Sequence, residues 1–303
     1  MATNVTTFTP VTQTNPNETW RNYTKRSPIT SCKLGGQDLK RLHRLVNEKQ
    51  AEVGTRLSSS LSRTAQESRE DFDHRVSEVR DAFITTITVT GADGQAVTGH
   101  GESFFDSELL PTRIESILFD TSFSPNAILK YTPADRATVF LDFSRPRLLD
   151  FNGQPSAPTP NNSNWFVTGA TESWATSLSK RLEDFFKERG TALNWLHGPA
   201  TYDGLLMLVG FPVSLWGAYR LGSLLPLPKG ISSSLSAAIY IYLFFVFLNV
   251  FRALFSYARW VFPKVDLDLN KSSASRHRVT LSVIVLGVIA TAVWDGIKIM
   301  FGK

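Results

Sequence analysis

The sequence predicts an α+β cytoplasmic domain followed by an all-α transmembrane region of about three helices. The domain is expected to hold a long N-terminal helix, a small mixed or antiparallel sheet and a C-terminal helix. Three observations carry this expectation. The apolar period changes from helical to alternating near residue 84 and back near residue 170. Three long apolar windows with few charges fill residues 204–301. Lysines and arginines cluster beside those windows.

Residues 1–36 are rich in Thr, Asn and Pro, and read as a disordered tail. Residues 37–190 read as the soluble domain. Within it, residues 37–83 carry Leu39, Leu42 and Val46, then Val53, Leu57, Leu61 and Ala65, then Phe72, Val76, Val79 and Phe83. Spacings of three and four place them on one stripe of a helix, with a break expected near Gly54 and Ser58–Ser60. The stripe needs a partner, which is the following sheet or a second copy in a coiled coil. Sustained heptads are missing, so packing within the chain is favoured.

Residues 84–168 read as sheet. Ile84 to Thr90 is β-branched throughout, and Asp93-Gly94 signals a hairpin returning through residues 95–98. Ile117, Phe119, Thr121 and Phe123 alternate, as do Ala137, Val139, Leu141 and Phe143, and residues 165–168 give a short last strand. Four or five strands are expected. Residues 170–188 return to helical spacing through Trp174, Leu178, Leu182 and Phe185, with Thr171 as N-cap and Gly190 as stop.

Residues 191–303 are expected to form the membrane anchor. A spanning helix needs about 20 apolar residues, because the hydrocarbon core is about 30 Å thick. Residues 204–226, 235–257 and 279–301 meet that length. Trp216, Arg220, Arg252, Arg259, Trp260, Lys264, Arg276, Arg278, Asp295 and Lys298 lie near segment ends or between segments and are the expected interface residues. The basic flanks place the soluble domain in the cytoplasm of a multi-pass protein of the cell membrane. The N-terminus has no basic stretch leading into an apolar one, which agrees with that orientation.

The hydrophobic fraction, 42%, averages over two unlike halves. The net charge of +5 resides largely beside apolar segments, and no lysine-rich tract with interleaved aromatics occurs. The expected partner is therefore the lipid bilayer rather than nucleic acid. A homo-oligomer and an unidentified protein or small molecule complete the expected partners.

No P-loop, HExxH or GxSxG motif is present, and no cofactor is expected. Cys32 is the single cysteine, so no intramolecular disulfide can form. His100, Glu102 and Asp106, with Asp93 upstream, are the candidate metal or acid–base cluster, weighed against a solvated loop, which is favoured. Trp165 and Trp174 are candidate partner-binding residues, weighed against a core role, also favoured. The leading functional expectation is a membrane protein presenting a non-enzymatic interaction or sensory domain. The alternative is an oligomeric channel or pore-forming effector gated by that domain. An enzyme built on the acidic cluster ranks last.

Overall fold

The computed structural model describes residues 22–146, 156–225, 232–269, 277–281 and 283 of the chain. Its contacts divide the protein into two units. The first holds residues 1–144, 161–191 and 265–270; the second holds residues 145–160, 192–264 and 271–303.

The first unit is α+β. In chain order it runs β1 (Tyr23–Pro28), β2 (Cys32–Leu34), α1 (Gly36–Ser59), α2 (Arg69–Ala82), β3 (Thr86–Gly91), β4 (Ala96–His100), a 3₁₀ helix (Glu102–Asp106), β5 (Ile114–Asp120), α3 (Phe123–Leu129), β6 (Arg136–Asp142), β7 (Asn164–Gly169) and α4 (Glu172–Glu188). A six-stranded sheet has the order β1-β7-β6-β5-β3-β4, with every pair antiparallel. Alternation decides its buried face. Ile87, Phe119, Val139 and Trp165 lie opposite one another across four strands, and Val89, Ile117 and Leu141 form the next row. All seven are buried. Each such side chain contributes about 1.5–3 kcal/mol by leaving water. Leu39, Leu42, Val46 and Val53 of α1 and Trp174, Leu178, Leu182 and Phe185 of α4 join the same core.

The expected long helix is two helices. Gly54 does not break α1: a Cβ there would stand 2.7 Å from the Phe83 Cβ, so it is a point of close approach. The break comes at Ser58, Ser59 and Ser60, whose hydroxyls donate back to the carbonyls of Thr55, Arg56 and Leu57. Ser68 starts α2 by accepting the Asp71 amide at 3.0 Å. At the turn between β3 and β4, Gly94 sits at φ +82°, which the Asp93-Gly94 pair anticipates.

The larger correction concerns architecture. The expectation of a small domain with four or five strands followed by about three membrane helices does not hold. The sheet has six strands, and sheet-forming segments are spread along the chain. β1 comes from the stretch expected to be disordered. It pairs with β7 from Tyr23↔Gly169 to Pro28↔Asn164, and nearly all of it is exposed. Such an edge strand carries no apolar alternation, because backbone hydrogen bonds hold it, and Pro28 is tolerated at its end. A further strand, β8 (Val265–Leu267), follows the second apolar window and pairs in parallel with β2, Cys32↔Val265 through Leu34↔Leu267. Leu34, Val265 and Leu267 are all buried in the first unit's core.

The second unit is helical. A 3₁₀ helix (Ala192–His197) leads to α5 (Thr201–Leu205), a π turn (Leu206–Gly210), α6 (Phe211–Leu224) and α7 (Ser233–Val261). The π turn ends two residues before Pro212 of α6. Proline has no N–H and its ring crowds the carbonyl four residues back, so a locally widened turn accommodates it without breaking the helix. Among the described residues two helices are long and apolar enough to cross a membrane, Thr201–Leu224 and Ser233–Val261. The expected third window, 279–301, lies outside the described residues except at 279–281 and 283.

Candidate functional site

The acidic cluster is the natural place to look for chemistry, and the structure pairs two of its members, Glu102 and Asp106, with cations of α1. Arg44 grips both Glu102 oxygens at 2.8 and 2.6 Å, and Lys40, one turn earlier, grips both Asp106 oxygens at 2.7 and 2.6 Å. The Arg44 hydrogen bonds hold the Glu102 carboxyl below the usual carboxylate range. His100 turns its Nδ1 toward the Thr85 carbonyl at 3.4 Å. Asp93 stays in the β3–β4 turn, where it accepts the Gln95 amide. Among the described residues no group of three His, Cys, Asp or Glu side chains is placed to hold a metal ion. The acids fasten the 3₁₀ helix to α1.

The tryptophan pair is likewise absorbed by the core. Trp165 is 2% exposed in the sheet, and Trp174 is 6% exposed over Gly169, where a Cβ would stand 3.0 Å from its ring. Both side chains belong to the first unit's hydrophobic core. Asp135, which drew no attention in the sequence, is buried. It ion-pairs with Arg56 and accepts the Ala170 amide at 2.7 Å. A shallow cavity of about 350 Å³ lies between α1 and α4. Its charges answer one another: Arg181 meets Glu48 at 2.9 Å and Arg41 meets Glu188 at 3.8 Å.

The distinctive surface belongs to the second unit. Gly210, Ser214, Ala218 and Gly222 recur every fourth residue and are all buried, with Gly217 beside them. This small-residue ladder lets α7 approach closely. Phe251 rests on Gly210, Phe247 on Gly217 and Tyr240 on Gly222. The α6 numbers rise while the α7 numbers fall, so the pair is an antiparallel hairpin with aromatic rings filling its seam. Its outer surface is apolar and open: Leu208, Leu215, Tyr219, Ile241, Tyr242, Phe245 and Leu254 are all exposed. Asn249, the uncharged polar group in the middle of α7, turns its amide back onto the Phe245 carbonyl at 2.9 Å.

The expected interface residues take different roles. Trp216 is exposed, and the Arg220 guanidinium lies 5.7 Å above its ring. Arg252 and Lys264 are half-buried near the end of α7 and just beyond it. Trp260 stacks on Tyr257, and Arg278 donates through Nε to the Val261 carbonyl at 3.0 Å. Arg259 departs from the expectation, since it is buried rather than reaching outward. It donates to the Leu196 and Ala157 carbonyls, both at 3.1 Å, with its guanidinium 4.5 Å over Phe255. It thereby ties the 3₁₀ helix Ala192–His197 and the segment at Ala157 to α7. Arg276, Asp295 and Lys298 lie outside the described residues.

His197 was also missed by the sequence reading, where it is one of five scattered histidines. It is buried, and its Nδ1 lies 2.9 Å from the Thr159 hydroxyl. Burial foremost, then the charges of Arg259 and Lys264, push its pKa down to about 4. The unfolded chain therefore takes up a proton that the folded one refuses. The stability contributed is complete above pH 6.5 and is lost as pH falls from 6.5 through about 4, a span worth on the order of 3 kcal/mol. Thermal unfolding of the full chain across that window should show this loss, and His197→Gln should flatten it.

Together these features define a class in outline: an α+β unit joined through both ends of a helical pair whose outer surface is apolar. No protein-family model, curated protein or solved structure matches the chain.

Proposed function

We propose that this is an integral membrane protein in which the α5–α6 and α7 hairpin crosses the bilayer and the α+β unit is held at the cytoplasmic face as an interaction module. The observation that carries the reading is the hairpin's outer surface. Across the apolar middle of α7, residues 239–254, only Leu243 is buried, although the helix is 29 residues long. At about 1.5 Å per residue that is roughly 43 Å, more than the hydrocarbon core requires. Water is a poor solvent for such a surface; lipid is a good one.

Three further features support it. Tyr240 and Tyr242 precede Trp260 along α7 by a rise of about 27–30 Å, the spacing expected of two interfacial aromatic levels. Arg220 falls near the upper level in the antiparallel register and can extend its head to water. Finally, the chain leaves the first unit after Thr191 and rejoins it at Val265, where β8 pairs with β2. Both ends of the hairpin thus belong on one side of the membrane, which two crossings satisfy. Arg259, Lys264 and Arg278 gather at that end, and the residues between α6 and α7 contain one cation, Lys229. The positive-inside rule makes the cation-rich end cytoplasmic.

The module reading is favoured over catalysis because Glu102 and Asp106 are spent on Arg44 and Lys40. It is favoured over a channel because aromatic rings fill the seam between the helices.

The test is fractionation of cells making the full chain. The protein should stay in the membrane pellet through a carbonate wash at pH 11. Pro228→Cys should react with an impermeant maleimide from outside, and Glu67→Cys only after permeabilisation. Release into the carbonate supernatant overturns the anchor; labelling of Glu67→Cys from outside overturns the orientation.

A further inference from the structure

The cytoplasmic end of the hairpin carries a cluster that a plain hydrophobic anchor does not need. Trp260 is its centre. The Arg145 guanidinium lies 5.3 Å over the indole. Tyr257 stacks against it with centroids 6.1 Å apart and planes inclined by 17°. His277 meets both rings edge-on, at 5.5 Å from Trp260 and 5.9 Å from Tyr257, and its Nδ1 lies 2.8 Å from the Tyr257 hydroxyl. Arg278 is fixed beside them by its bond to the Val261 carbonyl. Three separate stretches of chain thus bring two guanidiniums, an imidazole, a phenol and an indole to one rim.

Charge and shape together say what such a rim fits. The second unit contains 12 lysines and arginines against three acids, whereas the first has 20 against 24. The cationic excess is therefore confined to the unit that carries the apolar hairpin. About two and three turns from Trp260 along α7 toward the hydrophobic middle, Leu254 and Val250 are exposed. The surface grades from cations, through amphipathic rings, to bare aliphatic side chains. A free anion would need only the first layer. An amphiphile with a negatively charged head and acyl chains would use all three.

We propose that this rim is a binding site for an anionic phospholipid. Arg145 and Arg278 take the headgroup phosphate oxygens, Trp260 and Tyr257 lie at the glycerol level, and the acyl chains run along the face of Leu254 and Val250. Guanidiniums suit phosphate because their planar donors can meet two oxygens at once. The site rests on the membrane reading given above and adds a lipid preference to it.

The experiment uses the full chain purified in dodecyl maltoside, with thermal unfolding followed by intrinsic fluorescence. The additives are dimyristoyl phosphatidylglycerol, dimyristoyl phosphatidylcholine and inorganic phosphate. Phosphatidylglycerol should raise the midpoint by about 5 °C, and the other two should leave it essentially unchanged. R145Q/R278Q should need about 30-fold more phosphatidylglycerol for the same rise. R145K/R278K, which keeps the charge but loses the two-oxygen fork, should recover only part of the response, and lipid-free midpoints of both variants equal to the wild type's show that neither has misfolded. Equal responses to the two lipids, a matching rise with phosphate alone, or an unaltered response of R145Q/R278Q overturns the site. Failure of the anchor itself reads differently, as release of the wild-type chain by carbonate.

Discussion

Arg259→Met should loosen the base of the hairpin and cost about 2–4 kcal/mol. The side chain is buried at the end of α7, and its charged donors serve the carbonyls of Leu196 and Ala157. Methionine keeps much of the packing volume but leaves both carbonyls without those donors. Relief from burying a charge offsets part of the loss, which is why the expected cost is not larger. Hydrogen exchange should localise the effect: the amides of residues 192–197 should exchange faster, while those of β3 and β5 in the other unit should not change. A second readout separates electrostatics from packing. Arg259 is one of the cations that hold the His197 pKa down to about 4, so its removal should raise that value. An unchanged His197 titration together with unchanged exchange would show that Arg259 does not clamp these segments.

Gly217→Leu is expected to be the more damaging change. A Cβ at this position would stand 2.8 Å from Phe247 Cε1, so four added carbons claim space that the ring occupies. Overpacking typically costs about 1–3 kcal/mol. Here the two helices must also separate, which uncovers the neighbouring seats at Gly210 and Gly222. A fall of at least about 10 °C in the detergent midpoint is expected, with broadening on size exclusion. The control is Gly204→Leu, where an added Cβ meets nothing within 4 Å. That variant should match the wild type or slightly exceed it, since leucine is the better helix former. Equal behaviour of the two variants would mean that the glycine seam does not hold the hairpin together.

Much of this could be read from the residues alone. Ile117, Phe119, Val139 and Leu141 alternate because one face of an antiparallel sheet is buried, and period-two patterning survives in the sequence whatever the partner strand. The α4 stripe from Trp174 to Phe185 is legible for the matching helical reason. The glycine seam was legible too, in Gly210, Ser214, Ala218 and Gly222 at four-residue spacing, but a search directed at length and charge passes over it. β1 was not legible. An edge strand is held by backbone hydrogen bonds, which leave no mark on residue type, and Tyr23 to Pro28 is polar like the Thr- and Asn-rich residues before it. Arg259 was misread because a cation near the end of an apolar helix is usually solvated, and nothing local says that two carbonyls from residues 157 and 196 will reach it.

Residue patterning by itself determined the local periods, the apolar character of two helices and the cationic flank at one end of them, because these depend on neighbours within a few turns. Only the tertiary structure decided that the sheet has six strands, that β8 returns to β2 after the hairpin, and that Glu102 and Asp106 are tied to α1. Those outcomes depend on groups brought together from 58 to more than 200 residues apart. Contacts over such separations are selected by packing and by the need to satisfy buried polar groups, and no short window of sequence contains both partners.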